Sequence, residues 1–147
     1  MELTRRNLKI ESIVVLAFAA LTFIHLVFQL IFVDFNKAEL PAGADETTLL
    51  ITKILIMAVS FVLLLPQIYI GIKGLKIAKN PNSSKAHIVW AIILFVVTVI
   101  ALISPISNII KQEAVSDNVS RLLSLLVEGF VFFDYIRYAS AVAKDCQ

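Results

Sequence analysis

The sequence has few charged residues, few chain-breaking residues and almost no cysteine. Of its 147 residues 16% are charged, and the chain holds four glycines, four prolines and one cysteine, Cys146. Disordered chains combine high charge with low hydrophobicity, so this class is excluded. The scarcity of glycine and proline excludes collagen-like chains and Pro/Gly-rich chains. A single cysteine excludes a disulfide framework and a zinc site that needs several cysteines.

Apolar residues make up most of the chain. They account for 59% of the sequence, and the mean hydropathy is +0.90. Because soluble domains are roughly 45–50% apolar and about 25% charged, this composition predicts an integral membrane protein. A transmembrane helix needs about 20 mostly apolar residues. Four segments reach this length, at about residues 10–33, 49–72, 86–110 and 119–142.

The spacing of these segments predicts an all-α protein with a single membrane domain over residues 1–147. The connections between the segments are about 15, 13 and 8 residues long. Short connections favour antiparallel neighbours, so the expected architecture of this polytopic protein is an antiparallel four-helix transmembrane bundle.

Lysine and arginine are distributed unequally between the two sides of this predicted bundle. The richer side collects nine of them from the N-terminus, the middle connection and the C-terminal end: Arg5, Arg6, Lys9, Lys73, Lys76, Lys79, Lys85, Arg137 and Lys144. The other side collects four: Lys37, Lys53, Lys111 and Arg121. The positive-inside rule therefore predicts a multi-pass protein of the cytoplasmic membrane with both termini in the cytoplasm.

Ionisable residues inside a membrane segment are functional candidates, because a charge at mid-membrane costs at least about 2.5–3.5 kcal/mol. Glu128 lies near the middle of the fourth segment, on one helical face with Ser124 and Tyr135. His25 lies in the first segment with Gln29 on its face, and counting residues places it within about 3–5 Å of the depth of Glu128. These five residues form a candidate proton or ion site. The alternative is that they only join the helices by hydrogen bonds.

A second motif lies late in the second segment, where Leu65-Pro66-Gln67 precedes a basic turn. It resembles the Pro-Gln motif of PQ-loop transporters, a family that includes small bacterial sugar transporters of three helices. The resemblance covers only these few residues. It implies that the second to fourth segments form the three-helix unit and that Pro66 and Gln67 act as hinge residues.

The middle connection carries a basic patch formed by Lys73, Lys76, Lys79 and Lys85. Lysines near a membrane surface attract anionic lipids, at about 1 kcal/mol each. The patch is therefore a candidate contact for an anionic headgroup or a cytoplasmic partner, unless it serves only to set the topology. Nucleic acid is not expected as a partner, because the patch is short, lacks interleaved aromatic residues and lies against the membrane.

Known catalytic motifs are missing from the sequence. It contains no Gly-x-Ser-x-Gly, Walker A or His-Glu-x-x-His motif. His25 and His87 are predicted at different depths, so they do not form a paired haem ligand set. We therefore expect a protein without enzymatic activity, metal or cofactor.

Two functions remain open for such a protein. The first is an accessory or partner-binding membrane subunit, in contact with lipid and with another membrane protein or a second copy. Small size and short outer connections favour this function. The alternative is a small proton- or ion-coupled transporter or channel that uses the site around Glu128. A transporter of four helices needs to dimerise to enclose a path, and Ser120 with Ser124, and likewise Ala139 with Ala143, offer small-residue surfaces for close helix approach.

Overall fold

A computed structural model gives the fold of the chain. It describes residues 2–32, 46–81, 84–112 and 114–145, with side chains at all of these except 29–32, 46, 48–50, 52–53 and 56. Over these residues the chain forms helices joined by turns and bends, and it contains no strand. The prediction of an all-α protein is confirmed for this part of the chain.

Two long helices form the first half of the described chain. Helix α1 (Glu2–Phe32) has 31 residues, and helix α2 (Glu46–Lys79) has 34 residues. Both extend beyond the apolar segments at the end where the lysines and arginines collect. Helix α2 continues through Pro66. Because proline has no N–H, the carbonyl oxygen four residues earlier has no helical hydrogen bond.

The second half begins with α3 (Ala86–Ala101) and α4 (Ile103–Ile110), which are two parts of one helical segment. The break at Leu102 has a local cause, since Pro105 cannot donate a hydrogen bond to the carbonyl of the residue four positions earlier. The Leu102 N–H is shared between the carbonyl oxygens of Thr98 and Val99, at 3.2 and 3.3 Å. Helix α5 (Val115–Lys144) follows and has 30 residues.

Three helical segments are long and apolar enough to cross a membrane: Glu2–Phe28, Met57–Lys79 and Ala86–Ile110, searched over the described residues. The fourth predicted segment, 119–142, lies within α5, which is long enough but is not one of the three. The difference comes from the charged residues of α5, which are Asp117, Arg121, Glu128, Asp134, Arg137 and Lys144.

Helices α1 and α2 pack closely and run in opposite directions. Gly71 lies so near Leu16 that a Cβ atom there would be 2.5 Å from the leucine Cγ. Further along α1, the ring of Phe23 contacts that of Phe61, with centroids 6.2 Å apart. Residue numbers therefore rise along α1 as they fall along α2.

Helices α3 and α5 also run in opposite directions. The rings of Phe95 and Phe133 lie 6.3 Å apart, and the methyl group of Thr98 faces Gly129. In addition α1 packs against α5, and α2 packs against α3. Each of the four helical segments therefore packs against two neighbours. In addition, side chains of α2 and α5, which are not neighbours, meet across the interior.

The core lies at the end of the molecule where α1 and α3 begin and where α2 and α5 end. Leu8, Ile70, Ile77 and Ala139 are almost completely buried there. Elsewhere large apolar side chains cover the outer faces, and Phe130 remains 65% exposed. Continuous exposed apolar surface of this kind is abnormal for a soluble monomer and is expected for helices that face lipid.

Candidate functional site

The polar residues Gln67 of α2 and Glu128 of α5 meet in the interior of the molecule. Gln67 Nε2 donates a hydrogen bond of 2.8 Å to Glu128 Oε1, although the residues are 61 positions apart in sequence. Gln67 is buried and Glu128 is half-buried. The sequence assigned these residues to two separate features, a hinge and a proton site, and the structure joins them.

The other polar atom of the Gln67 amide has a different environment. Gln67 Oε1 is buried and has no hydrogen-bond partner among the described residues. A buried amide oxygen in this state loses the hydrogen bond that water would give it. A neutral Glu128 carboxyl group carries an O–H that can donate to this oxygen, so the two side chains can form a reciprocal pair.

Tyr135 lies two turns beyond Glu128 along α5 and is completely buried. Its hydroxyl group donates a hydrogen bond of 2.8 Å to the carbonyl oxygen of Ile70, so the side chain crosses the interior from α5 to α2. The sequence placed Tyr135 on the face of Glu128. In the structure both residues contact α2, at successive levels of that helix.

Small residues allow this close approach around Tyr135. A Cβ atom at Gly74 would lie 2.7 Å from the Tyr135 hydroxyl oxygen and 2.8 Å from its Cε2, and it would also clash with Ser12 Oγ. Ser12 is completely buried, and its hydroxyl group donates to the Leu8 carbonyl at 2.7 Å. The interior is therefore filled by side chains at this level.

His87, in the first turn of α3, was not predicted as a site residue. It is completely buried, and neither ring nitrogen has a hydrogen-bond partner among the described residues. Its ring meets the Tyr135 ring edge to face, with centroids 6.1 Å apart. Helical periodicity could have indicated this burial, because His87, Ala91, Leu94 and Thr98 share the buried face of α3.

His25 and Ser124, two further members of the predicted site, have exposed side chains. The pairing of α1 with α2 places Ala19 about level with Gln67. His25 is six residues further on, about 9 Å along the axis at 1.5 Å per residue. The side chain of Gln29 lies outside the described part of the structure.

The four lysines of the basic patch lie around the turn between α2 and α3. Lys73 is half-buried, and Lys76, Lys79 and Lys85 are exposed. Lys73 is also close enough to His87 to interact with it electrostatically.

An apolar groove of about 460 Å³ opens on the outer surface between α2 and α3. It lies beside the proline of the Pro-Gln motif, and its lining consists of Val62, Leu63, Leu65, Pro66, Tyr69, Trp90, Ile93 and Leu94.

Comparison with known proteins assigns no family to the chain, since no family model, no curated protein and no solved structure matches it. The resemblance to PQ-loop transporters therefore depends on the Pro-Gln dipeptide alone. Among the described residues, no group of three or more His, Cys, Asp or Glu side chains is arranged to hold a metal ion.

Proposed function

We propose that this chain is an accessory or partner-binding subunit of the cytoplasmic membrane, without catalytic activity. Its four helical segments form an antiparallel transmembrane bundle with both termini in the cytoplasm. The proposal is supported by the apolar outer faces, by the opposite directions of packed helices, and by the lysines at the end where α2 turns into α3.

Helix α5 is included as a spanning helix because its mid-membrane polar group has a partner. The carboxyl group of Glu128 accepts a hydrogen bond from Gln67, which reduces the cost of placing it away from water. Helix α5 also packs against both α1 and α3, as a fourth member of a bundle would.

The main support for the accessory function is that side chains fill the interior around Tyr135. Its ring lies against Gly74 and its hydroxyl group is bonded to Ile70, so side chains of the described residues fill this level of the interior. A packed interior favours a role that the protein performs through its outer surface.

One outer surface suits a second membrane helix. Ala139 and Ala143 are buried within the chain, whereas Ser120 and Ser124 are exposed on the other half of α5. Small residues at this spacing allow two helices to approach closely. We therefore expect another membrane protein or a second copy to contact α5 along Ser120 and Ser124.

Crosslinking in native membranes tests this contact. In a Cys146→Ser background, Ser124→Cys labelled with a benzophenone maleimide should give one adduct of defined mass on illumination, because the benzophenone inserts into C–H bonds of any partner within reach. Leu126→Cys is the control, because it is also exposed but points to another side of α5. Equal crosslinking at the two positions, or none at Ser124→Cys, would contradict a partner on this face.

A second function, proton-coupled transport, is favoured by the Gln67–Glu128 pair. The buried Gln67 Oε1 lacks a partner among the described residues, and it can accept a hydrogen bond from the O–H group of a protonated Glu128. This pair lies next to Pro66. Because proline cannot donate the helical backbone hydrogen bond, α2 can bend at this position.

Reconstitution separates the two functions. Purified protein is placed in liposomes that contain a pH-sensitive dye, and a proton gradient is imposed. We expect no protein-dependent flux from the wild type or from Glu128→Gln. Flux in the wild type that Glu128→Gln abolishes would reject the accessory function and support transport.

A further inference from the structure

A second groove lies between the beginning of α3 and the end of α5. It has a volume of about 290 Å³, which is at the lower limit of small-ligand pockets and suits a headgroup better than a whole lipid. Six residues line it: Lys85, Ile88, Val89, Ser140, Ala143 and Lys144.

The charged residues of this groove come from two different helices. Lys85 immediately precedes α3, and Lys144 is the last residue of α5. Both are exposed, and Ser140 lies one turn before Lys144. Two lysines and a serine thus line an otherwise apolar hollow, and ammonium and hydroxyl groups are of the kind that bind a phosphate oxygen.

The apolar residues of the groove continue along the outer face of α3. Val89 is 54% exposed, and Ile93 and Val96, four and seven residues further on, are exposed on the same side of the helix. A ligand that enters the groove with an anionic group can therefore lay an apolar chain along this face.

We propose that this groove binds the headgroup of an anionic phospholipid of the cytoplasmic leaflet. Its phosphate contacts Lys85, Lys144 and Ser140, and one acyl chain follows the apolar face of α3. The inference depends on the proposed position of these helix ends at the membrane surface. A freely dissolved phosphate would use the lysines but would gain nothing from the apolar face.

Native mass spectrometry of the purified protein in neutral detergent tests the site. The protein is titrated with phosphatidylglycerol or with phosphatidylcholine of the same acyl chains. Lys85→Gln with Lys144→Gln should weaken phosphatidylglycerol binding about 25-fold, at roughly fivefold per lysine. The control is Arg6→Gln with Lys9→Gln, which removes the same charge from exposed residues of α1 at the same end of the molecule, outside the groove and the basic patch, and should change binding less than twofold.

A second variant tests the groove without altering charge. Ser140→Leu keeps both lysines and fills the hollow, so it should weaken phosphatidylglycerol binding as well. Retained binding in Ser140→Leu, or equal losses in the groove pair and the control pair, would mean diffuse attraction and would overturn the proposal. Equal binding of phosphatidylcholine, or displacement of the lipid by millimolar inorganic phosphate, would also overturn it.

These outcomes are independent of the proposed function. Lipid binding in detergent does not depend on proton flux, on a partner along Ser124 or on which leaflet the groove faces. A negative lipid titration would leave the accessory function standing, and a negative crosslinking result would leave the lipid site standing.

Discussion

Two polar aromatic side chains lie against each other in the core, and they differ in hydrogen bonding. Tyr135 donates to the Ile70 carbonyl, whereas the two ring nitrogens of His87 have no partner among the described residues. A buried polar group stabilises a fold only when it is bonded, and otherwise it retains the cost of leaving water. These neighbours should therefore respond in opposite ways to the loss of their polar atoms.

Tyr135→Phe should lower the free energy of unfolding by about 1 kcal/mol, because it removes one net hydrogen bond and keeps the ring. His87→Leu should leave this free energy unchanged or raise it, because it replaces an unbonded imidazole by an apolar group of similar size. Reversible unfolding in mixed detergent micelles measures both. A larger loss in His87→Leu than in Tyr135→Phe would show that the imidazole is bonded after all.

The Gln67–Glu128 hydrogen bond gives a second prediction for single residues. Gln67→Leu should destabilise the protein by about 0.6 kcal/mol and by no more than about 1.7 kcal/mol, the mean and the maximum measured for hydrogen bonds between membrane helices. Glu128→Gln should be neutral or stabilising, because its amide keeps an acceptor for Gln67 Nε2 and adds an N–H that can donate to Gln67 Oε1. The same unfolding experiment applies, and a Glu128→Gln variant less stable than Gln67→Leu would contradict this account.

At the scale of helices, the register of each pair depends on where small residues permit contact. Gly71 and Gly74 let α2 approach α1 closely, whereas Gly129 of α5 has just the methyl group of Thr98 nearby among the described residues. The sequence identifies all three as glycines in apolar segments. It does not distinguish them, because the difference lies in the distance to the neighbouring helix.

Gly74→Ala should therefore destabilise the protein by about 1–3 kcal/mol, the usual cost of inserting a methyl group into a packed core. Gly129→Ala is the matched control. Its Cβ would lie 3.7 Å from Thr98 Cγ2, an ordinary contact, and alanine is about 0.5–1 kcal/mol better than glycine within a helix. The expected thermal midpoints in detergent are lower for Gly74→Ala and equal or higher for Gly129→Ala. The reverse order would refute the close packing of α2 against Ser12 and Tyr135.

Hydropathy predicts the helices themselves much better than their contacts. The apolar segments lie within the observed helices over the described residues, since a run of about 20 apolar residues is a local property. The grouping of His25 with Glu128 in one candidate site was drawn from depth, which allows a contact without establishing it. Depth in a straight segment does not specify rotation or register, and the structure instead joins Glu128 to Gln67.

At the scale of the whole molecule, the unequal distribution of lysine and arginine is the basis for the proposed orientation. The core and most of the basic residues lie at the same end, where α2 turns into α3. If this end faces the cytoplasm, reagents outside the cell should reach only the opposite connections.

Cysteine labelling measures this orientation. The natural Cys146 and a Lys79→Cys variant in a Cys146→Ser background should react with a membrane-impermeant maleimide only in inside-out vesicles. Lys37→Cys in the same background should react only in intact cells; Lys37 belongs to the first connection, outside the described residues. Labelling of Lys37→Cys and Cys146 from the same side would contradict four spans with both termini inside.

The sequence alone determined that the chain is helical and suited to a membrane, because composition and hydropathy act along the chain and need no knowledge of neighbours. It also determined which residues are costly to bury, Glu128 foremost among them. Tertiary structure decided whether each cost is offset by a hydrogen bond. Gln67, 61 positions away, bonds to Glu128, Tyr135 bonds to the backbone of α2, and His87 is enclosed without a described partner. These pairings depend on the register between helices, which is set by close packing at a few small residues such as Gly74.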